Sequence, residues 1–343
     1  MKNRILIVDD SPFIRRLLQD WIKAESDMEV VGTAGDGNEA IELAQRLKPD
    51  LITLDVEMPN TDGIAALETI MKTAPTAVLM VSSVTTQGAT ATLKALELGA
   101  IDFFPKPQSS SSIQFAGSRD ELITKIRACI GAKGVKAFGR AVKASVITGT
   151  SDKVVVIASS TGGPRALASL WSTLPKGFPA AILITQHMPA GFTESLSKRL
   201  DSIGTVPCRE AKPGDKVTPG QAFLAPGGDH MLIGKGGELI FTKEAPLHGV
   251  RPAADYLFRT AADIYGRRVL GVVLTGMGRD GAEGSVEIRS KGGIVYAESE
   301  STCTIYGMPK AAFEAGGVDA QFPLHELGAA ITAGIKEKIA RAS

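Results

Sequence analysis

A chain of 343 residues, 44% hydrophobic and 22% charged, is long enough for two globular domains and ordinary in composition for a soluble protein. A net charge of +1 gives no electrostatic footing for a nucleic acid or an anionic membrane surface. Cys129, Cys208 and Cys303 are odd in number and far apart, which excludes metal-ligand spacing and points to buried thiols in a reducing compartment. No basic segment leads into an apolar leader and no run reaches membrane-spanning length, so the expected location is the cytoplasm, without membrane insertion.

In the first half, residues 4–8 form an apolar run that stops at Asp9 and Asp10, and Ser11-Pro12 opens an amphipathic helix reaching Ala24. Strands follow at 29–34, at 51–54 ending on Asp55, at 77–81 ending on Ser82, and at 101–104 just before Lys106-Pro107. Helical patterns over 37–47 and 86–98 separate them. Strands alternating with helices of this length predict a parallel, doubly wound sheet, whose ligands sit at the carboxyl ends of its strands. Asp9, Asp10, Asp55, Ser82 and Lys106 all fall at that edge. Three carboxylates brought together repel unless a cation joins them, and hard oxygen donors suit Mg²⁺. A carboxylate beside Mg²⁺ and a lysine can accept a phosphoryl group with its charge balanced.

These residues resemble the response-regulator receiver family in Val8-Asp9-Asp10-Ser11, Leu54-Asp55-Val56-Glu57-Met58-Pro59, Asp62-Gly63, Val81-Ser82-Ser83 and Lys106-Pro107. The resemblance spans residues 1–130 and implies a flavodoxin-like (βα)5 domain. It implies Asp55 as phospho-acceptor, with Asp9, Asp10, Asp55 and the carbonyl of Glu57 as Mg²⁺ ligands. Ser82 would contact the phosphoryl group and Lys106 would pair with it. Phe103 stands where the family places its switching aromatic, without a hydroxyl.

Residues 108–112 are a polar run, 119–130 an amphipathic helix that would close the first sheet, and 131–152 a linker without sustained apolar period. The second domain, 153–343, opens with the β-branched run from Val154, read as a fully buried strand. It leads through Ser159, Ser160, Thr161, Gly162 and Gly163 into Pro164 and a helix over 165–174. A hydroxyl on a strand-to-helix bend is the layout of a nucleophile elbow, although the G-x-S-x-G pattern is missing. Read alone, the same serines fit a helix cap, and a dinucleotide-binding turn lacks its glycine fingerprint. The strand at 181–185 runs into Gln186-His187-Met188-Pro189. Short strands and turn signals over 206–241 predict an antiparallel insertion. A helix at 251–265 precedes a buried strand at 269–274 that ends in Thr275-Gly276-Met277-Gly278-Arg279-Asp280-Gly281. A strand at 292–297 and a helix at 324–340 complete the domain.

Ser160, His187 and Asp280 each lie just past an apolar strand of this sheet. A serine hydroxyl becomes nucleophilic when an imidazole takes its proton, and the imidazole needs a carboxylate to fix its tautomer and stabilise its cation. The glycine-rich loop 275–281 offers backbone N–H groups for an oxyanion. Taken alone, Asp280 fits equally well as an N-cap on the helix after Gly281.

The whole chain resembles the chemotaxis response-regulator protein-glutamate methylesterases, the CheB family. The second-domain motifs are Ser160-Thr161-Gly162-Gly163-Pro164, residues 184–192 around His187, Leu224-Ala225-Pro226-Gly227, Arg251-Pro252 with Asp255, residues 274–281, and Gly307-Met308-Pro309. The resemblance implies a Rossmann-like doubly wound α/β methylesterase domain with a triad of Ser160, His187 and Asp280. It places Met277 backbone in the oxyanion hole and Thr161 beside the nucleophile. Where the family reads Gly-Ala-Ser-Thr-Gly-Gly, this chain has Ala158-Ser159-Ser160-Thr161-Gly162-Gly163; alignment on Thr161-Gly162-Gly163 selects Ser160. The implied activity is demethylation of glutamate methyl esters on chemoreceptors, with deamidation of receptor glutamines, by a monomer whose receiver blocks the site until a chemotaxis histidine kinase phosphorylates Asp55. No cofactor is expected for the hydrolase. The rival classes are a receiver with a nucleic-acid output, which lacks a basic helix, and a Rossmann-type binding module without hydrolase activity.

Overall fold

The structure is a computed structural model that describes residues 2–83, 85–106, 112–131 and 149–336. The chain divides into two compact units, residues 1–134 and 135–343. Pro107, most of the polar run after it, most of the predicted linker and the end of the predicted last helix lie outside the described residues.

In the first unit β1 (Asn3–Val8), β2 (Met28–Ala34), β3 (Leu51–Asp55), β4 (Ala77–Ser82) and β5 (Asp102–Pro105) form a sheet in the order β2-β1-β3-β4-β5. All neighbours are parallel. The chain reverses direction between β1 and β3, the switch point where an open sheet leaves a crevice. Asp9 follows β1 and Asp55 ends β3, so both flank that crevice. Each crossover is a helix: α1 (Pro12–Lys23), α2 (Gly37–Leu47), α3 (Gly63–Thr73) and α4 (Thr86–Leu98), with α5 (Ser112–Gly131) last. Ser11, Asp36 and Asp62 cap the first three by accepting the N–H of Ile14, Glu39 and Ala65. Residues 63–73, α3, are not among the predicted helices, and their buried face of Gly63, Ala66, Leu67 and Ile70 carries the 3–4 spacing of one. Gly63 must be glycine: a Cβ there would lie 1.8 Å from the Asp55 carbonyl oxygen.

The second unit is built on a seven-stranded sheet in the order β14-β13-β12-β6-β7-β9-β8. Its strands are β6 (Val154–Ser159), β7 (Ala181–Gln186), β8 (Cys208–Glu210), β9 (Ala222–Leu224), β12 (Val269–Val273), β13 (Ile294–Glu298) and β14 (Ala320–Phe322). β10 (His230–Ile233) and β11 (Leu239–Thr242) form a separate antiparallel pair. The predicted insertion is therefore antiparallel only over these two strands; β8 and β9 join the main sheet in parallel instead. Short strands with turn signals read the same in either sheet, and pairing across the fold decides between them. α6 (Gly163–Trp171), α7 (Phe192–Ile203), α8 (Ala254–Tyr265), α9 (Ala282–Ser290), α10 (Met308–Glu314) and α11 (Leu324–Lys336) surround the sheet. α7 and α10 are not among the predicted elements, α9 is the helix expected after Gly281, and α8 starts three residues later than predicted, with Ala253 as an extended N-cap residue whose N–H is taken by His230 Nδ1.

Every residue of β6 is buried, as a central parallel strand covered on both faces demands. The chain runs from β6 outward to β7 and later returns to β12 on the other side of β6, so the switch point of this sheet lies between β6 and β12. Cys129, Cys208 and Cys303 are all free and buried. No helix among the described residues is long and apolar enough to cross a membrane.

Trp171, at the end of α6, is fully buried and donates its Nε1–H to the Val206 carbonyl at 3.1 Å. Trp171→Ala is expected to cost about 3–5 kcal/mol through the cavity it leaves, read from the shift of the urea midpoint.

Candidate functional site

The hydroxyl-bearing bend after β6 is pinned on both sides. Ser160 donates its N–H to the Thr275 carbonyl at 3.1 Å, and its own carbonyl accepts from Gly163 N at 2.7 Å and from Gln186 Nε2 at 2.9 Å. Gln186 also accepts the Ser159 hydroxyl on Oε1 at 2.7 Å. The two adjacent serines are thereby distinguished. Ser159 is fully buried, with its hydroxyl spent on Gln186, while Ser160 is half-exposed beyond the strand. Gly163 is required by this clamp, because a Cβ there would sit 2.0 Å from Gln186 Oε1. The sequence reading gave Gln186 no role; its signal was an amide ending an otherwise apolar strand.

β6 and β7 are in register with Ser159 opposite Gln186, so the next positions out are Ser160 and His187. The His187 N–H continues the ladder to the Ser159 carbonyl at 3.1 Å. His187 then reaches Asp280, with Nε2 to Oδ2 at 2.7 Å. No hydrogen bond joins Ser160 Oγ to the imidazole. Such contacts are often loose before substrate binds.

Asp280 is 2% exposed, and its carboxylate is saturated with donors. Besides His187, Oδ2 accepts from Ala254 N at 2.6 Å, and Oδ1 accepts from Asp255 N at 3.1 Å and Gly281 N at 3.0 Å. Asp280 thus caps α8, not the helix after Gly281. Burial pushes its carboxyl up, but the hydrogen bond and charge of His187 with the Ala254 and Asp255 N–H groups outweigh it and hold the group below its ordinary range.

The loop between β12 and α9 is stitched to residues 305–308. Gly276 N donates to Ile305 O at 3.1 Å, and Gly276 O accepts from Met308 N at 2.8 Å. Thr275 donates its hydroxyl to Thr161 O at 3.0 Å and its N–H to buried Glu298 Oε2 at 2.9 Å. Among the described residues the Met277 N–H has no hydrogen-bond partner, as an oxyanion donor requires. Thr161 is 2% exposed, and its carbonyl serves this stitching.

His248, Asp255 and Asp280 present donor atoms within 4.8 Å of one another. A metal does not suit them: the Asp280 oxygens already accept four hydrogen bonds, and Asp255 accepts from Gly284 N at 2.6 Å and pairs with His248 Nε2 at 2.9 Å.

At the switch point of the first unit, Asp9 and Asp55 are buried and Asp10 is exposed, with donor atoms again within 4.8 Å. Lys106 Nζ lies 2.7 Å from Asp55 Oδ2 and 2.9 Å from Asp9 Oδ2. Asp9 Oδ2 is buried and meets Lys106 as an ion pair without a hydrogen bond of proper geometry. Burial and the neighbouring Asp9 push the Asp55 carboxyl up to about 6 against the pull of Lys106. Asp55 Oδ1 accepts the Glu57 N–H at 3.3 Å. Ser82 is buried, its hydroxyl held by the carbonyls of Ser83 and Gly88 rather than turned to Asp55. Phe103 is buried at 3% exposure.

A parallel five-stranded unit with a carboxylate–lysine cluster, followed by an α/β unit with a serine, a histidine and an aspartate around its switch point, defines a response regulator with a hydrolase-type output. Comparison with known proteins agrees with both halves. The response regulator receiver domain family matches residues 5–116, and the CheB methylesterase family matches residues 155–331. The protein-glutamate methylesterase/protein-glutamine glutaminase of Pyrococcus abyssi is 48% identical over 342 residues, covering 95% of this chain and 92% of that protein. The protein of the same name from Thermotoga maritima is 46% identical over 330 residues, covering 94% and 96%. The crystal structure of the Thermotoga maritima CheB methylesterase catalytic domain superposes with a TM-score of 0.51 at 42% identity, covering 55% of this chain and 99% of that one. The chain belongs to the CheB methylesterase family, with an N-terminal receiver domain.

Asp280 has its carboxyl depressed in the native state, so it contributes stability above the ordinary carboxylate range, and that contribution is lost as pH falls through the lower native value. Asp280→Asn is expected to cost about 2–4 kcal/mol near neutral pH. The gap between variant and wild type in thermal or urea unfolding should narrow at acid pH.

Proposed function

We propose that the protein is a phosphorylation-controlled protein-glutamate methylesterase and protein-glutamine deamidase acting on chemoreceptors, with Ser160 as nucleophile, His187 as base and Asp280 as its orienting carboxylate. The observation that carries this reading is the 2.7 Å contact of His187 Nε2 with Asp280 Oδ2 beside the bend that holds Ser160. With Nε2–H given to Asp280, the lone pair of His187 is on Nδ1, the nitrogen available to Ser160. Ser160 Oγ attacks the γ-carbonyl of a glutamate methyl ester as its proton passes to Nδ1. The developing oxyanion is met by the free Met277 N–H, with Thr161 placed beside the nucleophile. The C–O bond breaks, methanol departs with the proton held by His187, and the glutamyl group stays on Ser160. Water, deprotonated by the same imidazole, then releases the glutamate carboxylate and restores the hydroxyl. A glutamine amide follows the same course with ammonia as leaving group.

In the receiver unit Asp55 accepts the phosphoryl group from a chemotaxis histidine kinase, and phosphorylation relieves inhibition of the hydrolase. Asp9, Asp10, Asp55 and the Glu57 carbonyl would hold Mg²⁺, which when bound neutralises the carboxylates and the incoming phosphoryl oxygens. Lys106 balances the charge on Asp55, and Ser82 turns its hydroxyl to the phosphoryl group. The hydrolase itself uses no cofactor. The protein works as a monomer in the cytoplasm and inserts in no membrane.

Ser160→Ala is expected to lower methanol release from methylated receptor membranes by about 10⁴-fold or more, whereas Ser159→Ala removes only the Gln186 contact and stays within about tenfold of wild type. The reverse ranking would assign the nucleophile to Ser159. Asp55→Asn should keep basal turnover and lose acceleration by a small phosphodonor; persistent acceleration would place the acceptor at another residue.

A further inference from the structure

Asp280 is one half of a reciprocal arrangement. α8 and α9 both begin without a side-chain cap from their own N-cap residue. Asp280, just before α9, accepts the N–H groups of Ala254 and Asp255 at the start of α8. Asp255, in the first turn of α8, accepts the Gly284 N–H in the first turn of α9 at 2.6 Å. Each carboxylate also holds an imidazole: His187 on Asp280 at 2.7 Å and His248 on Asp255 at 2.9 Å. The helices are therefore tied at their N-termini by two crossed carboxylates, each with a histidine at its outer end.

Asp255 is an expensive residue for capping alone. It is fully buried, and its carboxylate lies within 4.8 Å of a second one. Burial and the Asp280 charge push its carboxyl up, against the Gly284 N–H and His248. A serine or asparagine would accept the Gly284 N–H without that repulsion. What aspartate adds is charge on the far side of the Asp280–His187 pair, where an imidazolium forms as Ser160 loses its proton. The other titratable and charged groups around α8 do not supply it. Buried His230 on β10 accepts from Ala253 N on Nδ1 and bonds the Ala245 carbonyl through Nε2, which makes it the neutral Nε2–H tautomer. Arg251 donates to the carbonyls of Lys243 and Glu244, the Glu244 carboxylate accepts from Tyr256, and Arg259 pairs with Glu283 at the surface. Arg279, beside Asp280, is directed to Glu283 at 3.7 Å.

We propose that Asp255 is a positioning residue of the hydrolase and His248 its hydrogen-bond partner: the pair locks Asp280 between two helix N-termini and sets the charge behind His187. The proposal rests on the serine-hydrolase reading of Ser160, His187 and Asp280. Removing the Asp255 charge should make His187 less basic, whereas removing the His248 hydrogen bond and leaving that charge less compensated should make it more basic.

The full chain, with phosphodonor, is assayed for methanol release from methyl-esterified receptor between about pH 5 and 9, with melting temperatures recorded alongside. Asp255→Asn keeps an acceptor for Gly284 N and loses the charge. Its kcat is expected to fall about tenfold with KM within about twofold, and the acid limb of kcat/KM to move down by about half a pH unit. His248→Gln, a change at an exposed loop residue, should move the same limb up. Opposite displacements are what a purely structural role does not produce. Limbs unmoved in folded variants, or displaced in the same direction, overturn the proposal; if Asp255→Asn does not fold, the direction in His248→Gln decides. A wild-type chain that releases no methanol at all brings down the hydrolase reading, and this proposal with it, whatever the variants do.

Discussion

An ionised carboxylate in a protein interior is stable only when its lone pairs are filled, since the desolvation cost is several kcal/mol per ion. Asp280 meets that condition with three backbone N–H groups and one imidazole. Much else in the second unit follows from supplying them. α8 must start at Ala254 with its first N–H groups facing the β12–α9 loop, and that loop must be tied to residues 305–308 so that the carboxylate does not drift. The helix gains a cap and the histidine gains a fixed tautomer from the same four bonds.

The two units solve one topological problem with opposite chemistry. Both collect their polar residues at the carboxyl edge of a parallel sheet, where the chain order reverses and no crossover covers the crevice. In the first unit the carboxylates outnumber the cations, with Lys106 shared between Asp9 and Asp55 and one buried Asp9 oxygen without a hydrogen bond. That deficit suits a divalent cation and a transferable phosphoryl group. In the second unit the negative charge of Asp280 is met within the protein, by three backbone N–H groups and an imidazole.

What could be read from the sequence follows from how local each signal is. The β-branched run of β6 and the acidic ends of β1 and β3 identify themselves within a few residues, and so did the strand-end position of Ser160, His187 and Asp280. The helix that Asp280 caps did not: its capping contacts reach back 25 and 26 residues to α8, whereas the local pattern offers only the helix next to it as one to cap. The alignment on Thr161-Gly162-Gly163 already selects Ser160, but the contact that occupies Ser159 comes from Gln186, 27 residues away on the neighbouring strand. β8 and β9 were misplaced for the same reason, because short strands carry no mark of the sheet they will join. α3 is a different case: its apolar spacing is local to residues 63–73.

The histidine geometry also follows from the sheet. Adjacent parallel strands are about 4.8 Å apart, and strands separated by one other about twice that. His187 extends β7, Ser160 extends the adjacent β6, and Asp280 follows β12 on the far side of β6. The strand nearest the imidazole therefore carries the serine, and the strand beyond it the carboxylate. Nδ1 is the ring nitrogen closer to the histidine backbone and Nε2 the more distant, so this strand order matches Nδ1 to Ser160 and Nε2 to Asp280, the pairing observed for the carboxylate. A serine hydrolase that took its acid from the neighbouring strand and its alcohol from the strand beyond would use the nitrogens the other way round. The contact of His187 Nε2 with Asp280 is thus favoured by strand order and helix capping together.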